Sequence, residues 1–182
     1  MRSRAIAAGL FVAWAVHDLE EVLGARYLRL RVIPRLRARH PGVPAAAWRT
    51  AEIGTAQMAI AASLVGVPVA AASIRGAGTG GRSAFFQAVV TAYGLHGVGH
   101  IAVSVLARDY NPGVLTSPLI VVPYAVWARR RLQEIGAWQP MSGRDVALSL
   151  LAVPPLLVGA HALARLLIGG RRGLAAPRTL YA

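Results

Sequence analysis

The 182-residue sequence contains no cysteine and, among its 20 basic residues, no lysine. Without cysteine the chain cannot form a disulfide, a cysteine-ligated zinc or iron–sulfur site, or a thiol nucleophile. Acidic residues are also scarce, because only seven aspartates and glutamates accompany the 20 arginines, which gives a formal net charge of +13. Each acid that falls in an apolar segment is therefore a candidate functional residue.

Long apolar segments take up much of the chain. Hydrophobic residues make up 55% of the sequence, and the mean hydropathy is +0.50. Four long uncharged runs leave no stretch for a separate soluble core, which excludes a secreted or cytosolic globular protein. We expect an all-α integral membrane helical bundle of about five transmembrane helices. The expected helices cover residues 4–23, 52–74, 84–107, 113–128 and 145–168.

Arginine-rich segments lie between and after these helices. Residues 24–50 form a basic linker, expected at the membrane interface, and residues 169–182 form a basic tail; both can contact anionic membrane lipid. Slightly more arginines lie on the side where the first helix ends, which favours the cytoplasmic side for that end. We expect a multi-pass protein of the cytoplasmic (inner) membrane. No RNA- or DNA-binding motif accompanies the arginines, so we expect no nucleic-acid partner.

The first helix carries a polar motif, His17-Asp18-Leu19-Glu20-Glu21. His17, Glu20 and Glu21 are spaced i, i+3 and i+4, so their side chains project from one helix face. Asp18 points away from that face, and we expect it to pair with an arginine of the linker. An alternative interpretation of this segment is a signal peptide, which the several hydrophobic segments that follow make less favoured.

A second pair of ionisable residues, His96 and His100, is spaced i, i+4 on the expected third helix. His17, His100 and His161 each lie a similar number of residues before the expected end of their helix. At about 1.5 Å per residue, the three histidines are therefore expected at a similar depth in the membrane. Glu52 lies near the start of the second helix, on that same side. Because intramembrane ionisable residues normally face the bundle interior, we predict that four histidines and three glutamates form one buried site.

Imidazole and carboxylate groups are the ligands that zinc, iron or manganese prefer, rather than calcium or magnesium. We therefore predict a divalent transition metal, with His161 either a further ligand or a hydrogen-bonded residue of the bundle. The predicted metal ligands are His17, Glu20, His96, His100 and His161. The predicted catalytic residues, one of which acts as general base, are Glu21 and Glu52.

The chain resembles the HXXEE family of multi-pass membrane proteins in two places. The first is the motif at residues 17–21. The second is His100-Ile101 followed by residues 108–116, Arg-Asp-Tyr-Asn-Pro-Gly-Val-Leu-Thr, which is similar to that family's Arg-x-Tyr-x-Pro-Gly-x-x-Thr. The resemblance spans residues 5–130 and departs at His96, where the family more often has asparagine, so His96 is either an extra ligand or a hydrogen-bond donor that replaces asparagine. The resemblance implies little about activity, because the family is uncharacterised and is suspected to be enzymatic only from its polar motifs. By its Pro-Gly pair alone, the second element indicates a turn.

The leading functional hypothesis is a membrane-embedded, metal-dependent enzyme that acts on a lipid-like or isoprenoid-like substrate. Its premise is that a polar layer among apolar helices is reached most easily by a hydrophobic small molecule. One alternative is a metal-free isomerase or cyclase in which a glutamate and a histidine act as acid and base. A further alternative is a proton-coupled transporter or a structural membrane protein, in which the same residues form a proton relay or a hydrogen-bond network.

Overall fold

The computed structural model describes residues 2–140 and 142–174, and within these ranges every regular element is helical. The prediction of an all-α bundle is confirmed. The helices are α1 (Arg2–Tyr27), α2 (Ile33–Arg39), α3 (Ala45–Ala51), α4 (Thr55–Gly78), α5 (Ala84–Ala107), α6 (Val122–Glu134) and α7 (Gly143–Leu174). Two π-helical turns, Leu28–Val32 and Ser117–Val121, lead directly into α2 and α6.

Three helical segments within the described residues are long and apolar enough to cross a membrane: α4, α5 and Leu151–Gly169 of α7. The length of α1 also suffices, but it carries the acidic motif and arginines near both ends. That α1 and the segment around α6 cross the membrane as well stays a prediction. Most of the basic linker expected at residues 24–50 is helical, since α1, the first π-helical turn and α2 continue to Arg39. Residues 175–182 of the expected tail lie outside the described residues.

The α1 and α4 helices pack closely along each other because small residues allow their backbones to approach. At Gly66 the ring of Trp14 occupies the space that a Cβ atom would need. Neighbouring apolar side chains, including Leu10 and Val69, are buried in the hydrophobic core against which Trp14 packs. This packing fixes the rotation of α1, and therefore which side of its polar motif faces the bundle.

The start of α5 is fixed by Gln87, which is fully buried. Its amide nitrogen donates to the carbonyls of Gly81 and Ala137 at 2.8 Å each, and its oxygen accepts from the backbone N–H of Gln139 at 2.9 Å. This buried amide thereby satisfies the backbone of two loops at one end of the bundle. His100 lies on the same helix about 20 Å away, at 1.5 Å per residue, near the other end.

After α5 the chain reverses through a segment that we call the return segment (residues 108–116). Arg108 adopts a left-handed conformation with φ 49°, which ends the helix. The return segment is fixed to the arginine-rich helix α2, since Arg35 donates to Asp109 Oδ1 at 2.9 Å and Arg39 Nη2 lies 3.5 Å from Asp109 Oδ2. The return segment then lies against the polar motif of α1, where it contacts Glu20 and His17.

Candidate metal centre

Four of the residues selected from the sequence come together between α1 and α5. We call them the histidine cluster: His17 and Glu21 of α1, and His96 and His100 of α5. One donor atom of each lies within 4.8 Å of the donors of all the others. Each helix supplies an i, i+4 pair, so the side chains of each pair leave one helix face at neighbouring turns. The His17 side chain is fully buried, and Glu21 and His100 are only 15% and 12% exposed.

The distances within the histidine cluster are short enough for one ion to contact all four groups. Glu21 Oε1 lies 3.0 Å from His100 Nε2, 3.8 Å from His17 Nε2 and 3.9 Å from His96 Nε2. The Nε2 atoms of His96 and His100 are 2.8 Å apart. A tetrahedral zinc site with bonds of about 2.0–2.1 Å has ligand atoms roughly 3.3 Å apart. The observed separations lie on both sides of that value, so the donor set fits a metal site of up to four protein ligands.

One nitrogen of the histidine cluster has no hydrogen-bond partner within the described part of the chain. His17 Nε2 is buried without a hydrogen bond, an arrangement that costs about 1–3 kcal/mol unless something satisfies the atom. The other nitrogen of this ring, Nδ1, lies 2.7 Å from the hydroxyl of Thr116. A cation between the imidazoles and Glu21 would satisfy the free nitrogen, and the residues present therefore fit a bound metal.

The Thr116 hydroxyl determines which nitrogen of His17 carries the proton. It donates to Glu20 Oε2 at 2.6 Å, so its oxygen is free to accept a hydrogen bond from His17 Nδ1–H. With the proton on Nδ1, the lone pair of Nε2 points into the cluster. Metal-binding histidines commonly have such a partner behind the ring.

The return segment surrounds Glu20 with hydrogen-bond donors. Besides the Thr116 hydroxyl, the backbone N–H groups of Leu115 and Thr116 donate to its carboxylate at 3.1 and 2.8 Å, and the Tyr110 hydroxyl donates at 3.0 Å. Burial and the neighbouring Glu20 carboxylate raise the pKa of Tyr110 above its ordinary value, so Tyr110 stays a donor. Glu20 therefore lies behind the ring of His17 and outside the histidine cluster.

His100 has a corresponding partner in Asn111, whose amide lies 2.8 Å from His100 Nδ1. With the amide nitrogen facing Nδ1, the proton of His100 lies on Nε2 and is donated to Glu21. Metal binding through Nε2 requires the opposite tautomer. A half-turn of the Asn111 amide places its oxygen against Nδ1–H and provides that tautomer without moving another residue.

Gly113 closes the cluster on the side of the return segment. Its φ is +91°, a conformation that favours glycine, and a Cβ atom there would lie 2.7 Å from His17 Cε1 and 2.9 Å from His100 Cε1. Both the backbone conformation and the available space therefore require glycine. The Pro-Gly pair that the sequence indicates only as a turn also makes room for two imidazole rings.

A partly open cavity of about 150 Å³ adjoins the histidine cluster between α1, α4, α5 and α7. Glu21 and His96 form part of its wall, and most of the remaining wall is apolar. Asp18 is also in the wall and is 8% exposed. The expectation that Asp18 pairs with a linker arginine is wrong for the described residues, because the rotation of α1 turns this side chain towards α4 and the cavity.

The other two sequence-selected residues lie away from the histidine cluster. Glu52 is the C-terminal capping residue of α3 and precedes α4, which begins at Thr55. Its side chain is 39% exposed in an ion pair of 2.8 Å with Arg37. His161 borders the cavity, with Nδ1 3.5 Å from the amide nitrogen of Gln57. The structure thus brings together four of the seven residues that the sequence placed in one layer.

Three neighbours of the cluster were not selected from the sequence: Thr116, Asn111 and Gly113. None of them is ionisable, so a search for charged residues in apolar segments does not find them. Their only sequence signal is the spacing within residues 108–116, the string that resembles the HXXEE family. That string supplies the groups behind His17, Glu20 and His100.

Comparison with known proteins gives one result. Neither a search of curated proteins nor a search of solved structures found a match. The family described as a protein of unknown function with HXXEE motif matches residues 8–128, a range that contains the histidine cluster and the return segment. The chain therefore belongs to the HXXEE family.

Proposed function

We propose that this chain is a membrane-embedded, metal-dependent enzyme that acts on a hydrophobic small molecule of lipid-like or isoprenoid-like character. The observation that carries the proposal is the convergence of His17, Glu21, His96 and His100 within 4.8 Å. Three imidazoles and one carboxylate suit zinc, iron or manganese. One carboxylate also neutralises part of the charge of a divalent ion in an apolar setting.

Two further observations support a metal over a plain hydrogen-bond network. His17 Nε2 has no hydrogen-bond partner among the described residues although it is buried, and a hydrogen-bond network that only fixed the helices would be expected to satisfy it. Thr116 and Asn111 lie behind the rings of His17 and His100, where groups that orient metal-binding imidazoles are found.

The roles of the two adjacent glutamates differ in this proposal. Glu21 is the carboxylate ligand, because its Oε1 lies 3.0–3.9 Å from three imidazole nitrogens. Glu20 is a positioning residue, because it acts on His17 through the Thr116 hydroxyl. Glu52 and His161 have no ligand role in the proposal.

The cavity gives the substrate its route to the centre. Of the four donors, Glu21 and His96 are the ones that line the cavity, so a substrate reaches the cluster past these two side chains. A bound divalent ion would supply Lewis acidity there if its coordination expands beyond the four side chains to admit the substrate. The apolar walls exclude water and strengthen electrostatic interactions with the reacting group. His17 and His100 lie deeper and hold the site together.

A metal-free acid–base enzyme is the second candidate, and one observation favours it. His100 Nε2 lies within hydrogen-bond distance of both Glu21 Oε1, at 3.0 Å, and His96 Nε2, at 2.8 Å. This hydrogen-bonded series can pass a proton from His100 to Glu21 or His96 in the cavity wall without a metal ion. The two candidates use the same residues and differ in whether an ion binds.

Metal content separates the candidates. Detergent-purified wild-type protein, His17→Ala and His100→Ala are each loaded with zinc, iron(II) or manganese, desalted and measured by inductively coupled plasma mass spectrometry. His161→Ala is the matched control, because it removes a histidine next to the same cavity. We expect about one ion per chain in the wild type and the control, and at most about a tenth of that in the two cluster variants.

Two other results of the metal analysis would contradict part of the proposal. Less than about a tenth of an ion in the loaded wild type removes the metal-dependent enzyme and leaves the acid–base candidate. A full ion that survives both cluster substitutions places the metal elsewhere. Size-exclusion profiles of all four proteins are compared, so that loss of metal is scored only for variants that remain monodisperse.

A further inference from the structure

The cavity beside the histidine cluster has walls that define the chemistry of its ligand. We propose that it binds a small alcohol, with an apolar body about the size of benzene and one hydroxyl group. This inference rests on the proposed function, because it names the substrate class of the same centre. Three properties of the cavity carry it: its volume, its unpartnered polar groups and their distance from the cluster.

The volume sets the size of the apolar body. The cavity holds about 150 Å³, and an apolar protein cavity of roughly that volume binds benzene. Its walls include Met58, Val65, Val69 and Leu157, which offer dispersion contacts and no hydrogen bonds. A body of about six or seven carbon atoms fills such a space. A longer lipid or isoprenoid chain would have to leave most of its length outside.

Three residues that line the cavity carry a polar group for which the structure shows no hydrogen bond among the described residues. Asp18, a residue that is 8% exposed, is the charged member of the three. The hydroxyl of Tyr93, a residue 7% exposed, and the indole N–H of Trp14 are buried without hydrogen bonds. Unsatisfied buried polar groups are costly and uncommon. A ligand that bonds to these groups removes that cost.

The types of these groups select a hydroxyl. A carboxyl group accepts hydrogen bonds and, when protonated, also donates one, whereas a phenol and an indole N–H are donors. An alcohol can both donate to Asp18 and accept from Asp18, Tyr93 or Trp14. A ketone can only accept, an ammonium ion can only donate, and a carboxylate would bring a second negative charge next to Glu21. A hydrocarbon satisfies none of the three.

The positions of the polar groups place this hydroxyl beside the cluster. Asp18 and Glu21 are spaced i, i+3 on α1, and Tyr93 and His96 are spaced i, i+3 on α5; all four line the cavity. Side chains with that spacing start about 5–6 Å apart. A hydroxyl held by Asp18 and Tyr93 is therefore one helical turn from the two cluster residues that face the cavity.

Fluorine NMR of a matched pair of ligands tests the proposal. The probes are 4-fluorobenzyl alcohol and 4-fluorotoluene, which differ by the hydroxyl group and are added to detergent-solubilised, metal-analysed protein; empty micelles correct for partition into detergent. We expect the wild type to bind the alcohol at least fivefold more tightly than the toluene, because one satisfied hydrogen bond is worth that factor or more.

Three variants locate the binding. Asp18→Leu is expected to reduce the preference for the alcohol to less than twofold, and Tyr93→Phe gives a second test if Asp18→Leu does not fold. Ala92→Leu, which fills the cavity from α5, is expected to abolish binding of both probes. Ala102→Leu is the matched control, since residue 102 lies on the exposed face of the same helix. It should bind like the wild type.

The failures are distinguishable. Wild-type protein that carries about one ion per chain and binds neither probe overturns the alcohol proposal and leaves the proposed function standing. Binding with the expected preference in a chain that holds no ion supports the alcohol site and removes the metal-dependent function. Unchanged binding in Ala92→Leu, or an unchanged preference in both Asp18→Leu and Tyr93→Phe, also overturns the alcohol proposal.

Discussion

The histidine cluster and two separate residues, Glu52 and His161, contain the same residue types, yet their surroundings differ. In the cluster, Glu21 faces three imidazoles and is 15% exposed. Glu52 is 39% exposed and pairs with a single arginine. The ring of His17 has the Thr116 hydroxyl at 2.7 Å behind it, whereas His161 has the longer contact of 3.5 Å with Gln57.

The difference shows what distinguishes a candidate site from polar residues at a similar predicted depth. The cluster has a second layer of hydrogen-bonding groups, supplied by the return segment, that fixes the tautomer and orientation of its rings. Around Glu52 no such layer exists among the described residues. Chemistry in a membrane bundle is therefore better inferred from what lies behind a side chain than from its depth alone.

The sharpest way to test this comparison is to make the same substitution in both regions. Glu21→Gln removes the only negative donor of the cluster, and we expect at least a hundredfold loss of metal affinity. Glu52→Gln removes one partner of an exposed ion pair and should leave the affinity unchanged. Competition with a metal-chelating dye measures both. Equal losses in the two variants would show that the cluster has no special role.

The second layer is tested at Thr116. Thr116→Val keeps the shape of the side chain but breaks the link from Glu20 to His17. Loss of a group that orients a metal ligand typically costs about 10–100-fold in affinity, and we expect a loss in that range with the stoichiometry unchanged. Thr50→Val, in α3, is the matched control. If both variants bind metal like the wild type, Thr116 and Glu20 do not position His17.

The space at the return segment is tested at Gly113. Gly113→Ala imposes a strained backbone and pushes a methyl group against His17 and His100. We expect the free energy of unfolding to fall by about 1–3 kcal/mol, with weaker metal binding, as measured by thermal unfolding with and without metal. Gly99→Ala is the control, because its Cβ would meet nothing within 4 Å. A Gly113→Ala protein as stable as this control would contradict the packing described.

The smallest effect is expected at the surface, where α2 is fixed to the return segment. Arg35→Gln should lower the thermal unfolding midpoint only slightly, because the Arg35 side chain is 46% exposed and Arg39 still lies 3.5 Å from the Asp109 carboxylate. Arg37→Gln should cost less still, since its partner Glu52 is itself 39% exposed. Thermal unfolding compares the two. A larger loss of stability for Arg37→Gln than for Arg35→Gln would contradict the expected order of the two ion pairs.

Helical spacing made the two halves of the cluster predictable. His17 with Glu21, and His96 with His100, follow from i, i+4 positions in apolar segments, as does the all-α fold. Which of the adjacent glutamates faces the imidazoles could not be predicted, because the rotation of α1 depends on its packing against α4. The same rotation turns Asp18 into the cavity.

Two other features depended on information that is not local. The sequence places Glu52 in the site because it predicts a second helix from residue 52, but α4 begins at Thr55, and Glu52 is the C-terminal capping residue of α3. Thr116 and Gly113 act through contacts across about a hundred residues of sequence, such as the bond between His17 and Thr116. A pattern read along one helix cannot report such contacts.

The central claim is that the histidine cluster binds one metal ion, and X-ray absorption spectroscopy tests it most directly. Zinc-loaded wild type is predicted to show three imidazole ligands and one carboxylate oxygen at about 2.0–2.1 Å, and His96→Asn should lose one imidazole. A spectrum with no imidazole, or one identical in the wild type and a monodisperse His100→Ala protein, would contradict the claim.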